Sequence, residues 1–435
     1  MKKLKDIMIE DLFNHKAFPY IYFLVVVAFL HIASFEVFGD DYAVLAGLKD
    51  NLWLEIKNLP NICNGWSGRY LINPLIYVMM HFDYRVWFCV EMICFVLMYQ
   101  LIKKYGLMSD KVPHLFVLSA MMCTLSFVDY YEIGWRVSTM TYIWVAASFM
   151  VACLTIVKNY KDENIKWYQM IGILLMTIFS TNKEELSVMG IIIFGVALVM
   201  ALVKKRRYIV FLVQLGISVG NFLWHLLSPN NQARYERKSF YGAHDYGFFD
   251  KVTIGLSSTF RHIVFEHNFA FLCLVIVLIV VVWFATKKIL PRFLSFIPLA
   301  FWFMTWIPPE FDYIFGTCSV GFRAWVVIIC GALALLAIVL CMYYIYGKNE
   351  KFIWMTTILV AGFAGRVVVG FANTGWQRYE RTYTFLYIAM IVVASVLACD
   401  IWKNLTYRKK QLLFGVIITL GNFGVMKNIY DLGII

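Results

Sequence analysis

Runs of 17 or more apolar residues recur along the whole chain, Phe269–Thr286 being typical. A helix of that length comes close to crossing a bilayer core of about 30 Å. Inside lipid the backbone must satisfy its own hydrogen bonds, and continuous apolar runs do so as helices. Composition agrees: 61% of the 435 residues are hydrophobic and 15% are charged, against about 25% charged in a soluble domain. The expected fold is an all-α polytopic membrane protein, with residues 1–435 forming a single integral membrane domain.

The polar, lysine-bearing start, Met1–Lys16, gives way to apolar sequence near Phe18. No small-residue cleavage site follows, so the first run reads as a retained helix over 18–38, with the N-terminus cytoplasmic. The segment that decides the topology is Leu71–Phe82. Its length corresponds to about 18 Å of helix, well short of the core. If it crossed, Lys103-Lys104 and Lys204–Arg207 would face outward; if it only dips into the outer leaflet, every later basic cluster falls inside. It is therefore read as re-entrant or juxtamembrane. The other spans are 86–104, 113–128, 139–158, 167–181, 186–203, 208–227, 269–286, 293–307, 324–346, 352–371, 383–400 and 411–426. This makes about thirteen transmembrane helices in the inner (plasma) membrane. Long extracytoplasmic loops cover 36–85, with juxtamembrane helices, and 228–268. Most of the ten cysteines lie in apolar spans, where they pack as small hydrophobes. Cys63 and Cys318 fall in outer loops, either as two unpaired thiols or as a disulfide.

A net charge of +12 in such a chain reports orientation and gives no reason to expect nucleic acid. Of the 39 basic residues, 23 fall in the N-terminus and the short inner connections, 19 of them lysine. The other 16 lie outside or near outer helix ends, and 10 of those are arginine. Topology needs only charge, whereas the planar arginine fork matches phosphate and carboxylate. The arginine-weighted face is where an anion would be held.

That face also collects the remaining polar groups. Asp40 and Asp41 follow the first span directly, and Trp66, Arg69 and Tyr70 lie in the loop beyond. Asp129, Glu132 and Arg136 flank one connection, Asn182, Lys183 and Glu184 fill a tight turn, and His225 precedes Arg234. Arg323 opens a span, Arg366 lies inside one, and Arg378 and Arg381 follow. Each has a plainer reading: the acids as a solvated loop start, Arg366 as a snorkelling side chain, the 182–185 turn as a hairpin cap. An ionisable residue within a span nevertheless points to function. The chemistry such a face suits is transfer of a group from a lipid-linked phosphate donor. Asp40 or Asp41 would take the acceptor's proton. Arg366, Arg323, Arg378, Arg381 and Arg234 would bind the donor phosphate. Arg69, Tyr70, Trp66, Asp129, Glu132, Arg136, Asn182, Lys183, Glu184 and His225 would line the substrate pocket. No residue pattern fixes a cofactor; outward carboxylates could hold Mg²⁺ or Mn²⁺.

The acidic pair after the first span, the helical first loop and the number of spans resemble the GT-C glycosyltransferases. Asp40-Asp41-Tyr42 followed by Gly65-Trp-Ser-Gly-Arg69-Tyr70 looks most like uncharacterised bacterial families near the serotype-converting glucosyltransferases. The resemblance implies a polyprenyl-phosphate-sugar donor such as undecaprenyl phosphate, and an extracytoplasmic glycan, lipid or wall-polymer acceptor. It also implies Asp40 or Asp41 as the base and outer arginines on the lipid phosphate. No large soluble C-terminal domain follows the last span, unlike the oligosaccharyltransferase branch, so a single sugar is the expected cargo. The rivals are a transporter or flippase of lipid-linked saccharides, which would place its charges at the bilayer midplane, and a polysaccharide polymerase.

The topology has a direct check. A reporter fused after Gly106 is expected to read cytoplasmic; an extracytoplasmic signal would mean that 71–82 crosses.

Overall fold

A computed structural model describes residues 15–33, 39–63, 68–106, 111–127, 135–231, 246–306, 320–371 and 380–433, and every element among them is helical. The first loop holds three short helices, α2 (Gly39–Gly47), α3 (Leu52–Cys63) and α4 (Ile72–Met80), after α1 (Phe18–Ala33). Then come α5 (Tyr84–Tyr105), α6 (Val112–Met122), α7 (Arg136–Tyr160), α8 (Trp167–Ser180), α9 (Glu184–Val203) and α10 (Ile209–Leu227). The second half comprises α11 (Phe248–Phe265), α12 (Phe269–Ala285), α13 (Ile289–Phe303), α14 (Phe322–Tyr346), α15 (Glu350–Phe371), α16 (Arg381–Trp402) and α17 (Tyr407–Asp431).

Among the described residues, eight of these helices are long and apolar enough to cross a membrane: α5, α7, α9, α10, α14, α15, α16 and α17. The pair α11 and α12 passes the same test jointly but bends by 65° at its break. Four shorter apolar helices, α1, α6, α8 and α13, occupy the other positions where spans were expected. At 9 residues α4 is about 14 Å long, too short to cross. The chain is thus a multi-pass helical protein with a short helix where the sequence demanded one.

Residues 228–268 are not all loop. Helix α11 buries Ile254, Gly255, Phe260 and Ile263 against α14 and α15. Its hydropathy is diluted by Thr253, Ser257, Ser258 and Thr259, whose hydroxyls bond back to carbonyls three or four residues earlier. Side chains that satisfy themselves in this way let a polar-looking stretch sit in a packed interior. Cys318 lies outside the described residues.

Contacts sort the helix ends into two sets. At one end Lys204 pairs with Glu350, Lys351 with Asp400 at 2.6 Å, and the Asn159 amide donates to the Arg207 carbonyl at 2.8 Å. At the other, Asp40 meets Arg381, Arg69 meets Glu184, and the Phe127 N–H donates to Asn428 at 2.8 Å. Lys204 and Lys351 mark the first end, the Asp40–Arg381 and Arg69–Glu184 pairs the second. Helix α16 runs between them through the core, buried on every side as a helix apolar all round must be. The first-loop helices are tied down at the acid–arginine end. Glu55 on α3 accepts from the Lys49 N–H at 2.8 Å and pairs with His81, just past α4, at 3.3 Å. Those bonds hold the Glu55 carboxyl below its ordinary value despite the opposing effect of burial.

Where α17 crosses α6, glycines set the spacing. A Cβ on Gly421 would lie 2.7 Å from Ala120 Cα, and one on Gly424 2.6 Å from the Cys123 carbonyl oxygen. Such close backbone approach is how helices associate in lipid. Gly421→Leu is expected to cost about 1–3 kcal/mol by overpacking, lowering the unfolding temperature in detergent. Gly415→Leu faces open space and should leave it unchanged. Equal melting of the two variants would contradict this packing.

Candidate functional site

The first turn of α2 presents Asp40 and Asp41 to different surroundings. Asp41 is 1% exposed, and its two oxygens accept the backbone N–H groups of Arg136 (2.9 Å) and Val137 (2.8 Å). Those N–H groups belong to the opening turn of α7, which has no carbonyls of its own to receive them. Arg136 Nε lies 3.7 Å from the same carboxylate. Burial pushes the Asp41 carboxyl above its ordinary value, against the pull of the two N–H bonds and the Arg136 charge. Its affinity for a proton is raised, but both oxygens are occupied and out of reach. Asp40 is different. Its side chain is 42% exposed and accepts from Arg381 Nη1 at 2.8 Å, and the same nitrogen lies 3.3 Å from Ser138 Oγ. Of the two acids, Asp41 fastens α2 to α7 and Asp40 faces outward beside an arginine.

A second group forms where α8 turns into α9. Asn182 Oδ1 accepts the N–H groups of Leu71 (2.9 Å) and Ile72 (3.3 Å), again capping a helix start. Lys183, 1% exposed, pairs with Glu185 at 2.9 Å and Glu184 at 3.5 Å, and lies over the Tyr142 ring. Arg69 Nε meets Glu184 at 3.1 Å, and the Tyr70 hydroxyl donates to Asn221 at 2.6 Å. His225 is buried, and neither of its ring nitrogens has a hydrogen-bond partner among the described residues. A Cβ on Gly68 would come within 3.2 Å of its Nδ1, so the first loop seats closely against His225 there. Tyr142 lies within electrostatic reach of both Arg69 and Arg381, and those two cations feel each other. The two groups are one patch.

A third group lies around Tyr383, two residues beyond Arg381. Arg366 is 2% exposed; its Nη2 donates to the Tyr383 hydroxyl at 2.9 Å, and its guanidinium lies 4.1 Å from that ring's centroid. The Tyr383 hydroxyl donates to the Ser258 carbonyl at 3.0 Å. The His262 ring packs on the same tyrosine, with Nδ1 2.9 Å from Glu266 and Nε2 2.6 Å from the Tyr387 hydroxyl. Arg261 pairs with Glu266 at 2.6 Å. Tyr142 sits on a π-helical turn, Met140–Trp144, and Arg261 and His262 on another, Arg261–Phe265. Such turns are rare and gather at functional sites.

The structure therefore brings together Asp40, Asp41, Arg136 and Arg381 with Arg69, Tyr70, Asn182, Lys183, Glu184 and His225. Arg366 belongs to the neighbouring group, and Arg323 opens α14, which packs on α11 and α13. Trp66, Asp129, Glu132, Arg234 and Arg378 lie outside the described residues. Sequence reading passed over Tyr142, Ser138, Arg261, His262, Glu266 and Tyr383. It also passed over Glu91, buried 3.5 Å from His31 and accepting from Trp144 Nε1 at 2.5 Å. A charge inside an apolar run was the available signal for Glu91; nothing in the sequence marks the tyrosines. Among the described residues no three His, Cys, Asp or Glu side chains gather as metal ligands. For Mg²⁺ or Mn²⁺ the acidic pair offers one exposed carboxylate, Asp40.

No protein-family model, curated protein or solved structure matches this chain. What the site can do is read from its own chemistry.

The division of labour between the acids is measurable as stability. Asp41→Ala strands two buried N–H groups and Arg136, at about 1–3 kcal/mol for each stranded donor, and should lower the unfolding temperature by several degrees. Asp40→Asn breaks a partly exposed pair, at less than about 1 kcal/mol. The reverse order would contradict the assignment.

Proposed function

We propose that this protein is a membrane glycosyltransferase that moves a sugar from a polyprenyl-phosphate donor to a glycan, lipid or wall-polymer acceptor, with Asp40 as general base. The observation that carries the reading is an apolar cavity of about 170 Å³ whose lining comes within one helical turn of Lys183, Tyr142 and Arg381. Leu186, Ala146 and Phe385 line its upper part, one turn below Lys183, Tyr142 and Arg381. It continues past Phe149, Ile193 and Val392 to Tyr160 and Lys351 near the lysine end. From Ala146 to Tyr160 is about 21 Å of helix. A polar patch above a long apolar slot suits a ligand with a charged head and a hydrocarbon tail, as a polyprenyl-phosphate sugar has. The tail's burial supplies binding energy that holds the head against the reacting groups.

In the proposed reaction the acceptor hydroxyl oxygen bonds to the sugar's anomeric carbon as the bond from that carbon to the phosphate oxygen breaks. The hydroxyl proton passes to Asp40. The polyprenyl phosphate leaves with the electron pair, its charge stabilised by the neighbouring cations. Arg381 orients the base, and Arg69, Lys183 and His225 face the head group from the other side. The acid–arginine end is assigned to the extracytoplasmic face because the lysine end carries the topological charges. On this reading the four shorter helices and the bent pair cross as well, making about thirteen spans.

Two measurements test the proposal. Asp40→Asn should lower turnover at least about 100-fold, the usual contribution of a general base, with donor affinity within about twofold; unchanged turnover would reject Asp40 as base. Val392→Trp fills the slot and should raise KM for a long-chain donor far more than for a short-chain analogue. Equal effects on the two donors would remove the tail from the cavity.

A further inference from the structure

The lysine end of the apolar slot has a polar floor of its own. A second cavity, of about 20 Å³, shares Ile156, Tyr160 and Trp354 with the slot and adds Asn159, Lys204 and Arg206 to the lining. Among the described residues, the charges that line the two cavities are Lys204, Arg206 and Lys351 against a single acid, Glu350. Lys204 pairs with Glu350, and Lys351 with Asp400 from outside the lining. Arg206 is the surplus. It has no acidic partner among the described residues and stands over the Tyr160 ring, 5.9 Å from its centroid.

The turn between α9 and α10 builds this placement. Lys205 takes left-handed backbone (φ 54°), its N–H donates to the Leu202 carbonyl at 3.1 Å, and the Arg206 N–H donates to the Ala201 carbonyl at 2.8 Å. That double closure ends α9 and satisfies its last carbonyls. It leaves Arg206 half-buried in the cavity wall, while Lys205 and Arg207 on either side are exposed. The depth is also marked. Lys158 on α7 donates to Gln169 in the first turn of α8, beside the exposed rings of Trp167 and Tyr168, and Tyr208 precedes α10. Rings of this kind gather at the level of lipid head groups.

Size decides which kind of anion fits. A cavity of about 20 Å³ holds one oxygen-sized group, too little to retain a free solute, whereas the slot it opens from can take a hydrocarbon chain. We propose that this is a site for an anionic phospholipid of the leaflet at the lysine end, with its phosphate on Arg206 and one acyl chain in the slot. Basic pockets between membrane helices recognise acidic head groups in this way. The site does not rest on the glycosyl-transfer reading; on that reading the donor's tail enters the same slot from the opposite end and displaces the phospholipid chain.

Native mass spectrometry of the full-length protein in detergent tests this with three probes: phosphatidylglycerol, phosphatidylcholine with the same chains, and glycerol phosphate, a head group without chains. The wild type should retain phosphatidylglycerol at least about fivefold more strongly than phosphatidylcholine, the worth of one basic contact with an acidic head group, and should not retain glycerol phosphate. Arg206→Gln should abolish that preference by weakening phosphatidylglycerol alone. Lys205→Gln removes the same charge one residue away, outside both cavities, and should keep the preference. Ile156→Trp closes the junction between the cavities and should weaken both phospholipids, which reports the chain independently of the charge. Equal retention of the two phospholipids by the wild type, or equal losses in Arg206→Gln and Lys205→Gln, would overturn the proposal. So would glycerol phosphate held as firmly as phosphatidylglycerol, which would make this a free-anion site.

Discussion

A charged side chain taken out of water must be met by another charge or by oriented dipoles, and lipid enforces this more strictly than a soluble core does. The architecture at the acid–arginine end follows from that constraint. The first loop can leave water only because its charges find partners on distant helices: Asp40 on α16, Asp41 on α7, Arg69 on α9. Each partner is also a helix start, where backbone N–H groups lack acceptors and attract carboxylates and amide oxygens. Asp41 and Asn182 answer that need for α7 and α4. The same bonds that cap helices hold the loop, and the held loop presents Asp40. Position and chemistry here have one cause.

The opposite end shows what the constraint looks like when water is within reach. Lys204, Lys351 and their acidic partners are partly exposed pairs at helix ends, worth little individually. Burial separates the two ends: Lys183 is nearly sealed beneath Tyr142, whereas the lysines of the other end reach water. Low dielectric at the sealed end strengthens every interaction among the fixed charges, the condition under which preorganised groups act most strongly on a reacting bond.

Much of this was legible in the sequence, for definable reasons. Long apolar runs fix the helices, and the shortness of Leu71–Phe82 reappears in α4, whose 9 residues make too little helix to span the core. Most candidate polar residues converge because each sits at the same end of its helix. Helix α11 was not legible: hydroxyl side chains that bond to their own backbone look polar on any scale while behaving as packed surface. The distinction between Asp40 and Asp41 was out of reach as well, since adjacent letters carry no record of which carboxylate turns toward backbone N–H groups. Tyr142 and Tyr383 read as two aromatics among many, because their importance lies in what stands over their rings.

The joint claim of polar patch and apolar slot is tested most directly by photo-crosslinking with a polyprenyl phosphate that carries diazirines along its chain. The account predicts adducts at cavity residues such as Phe149, Met189, Ile193 and Val396, displaced by unlabelled donor. Adducts confined to outward-facing residues such as Ile171, Leu175 and Phe423, undisplaced by donor, would contradict it.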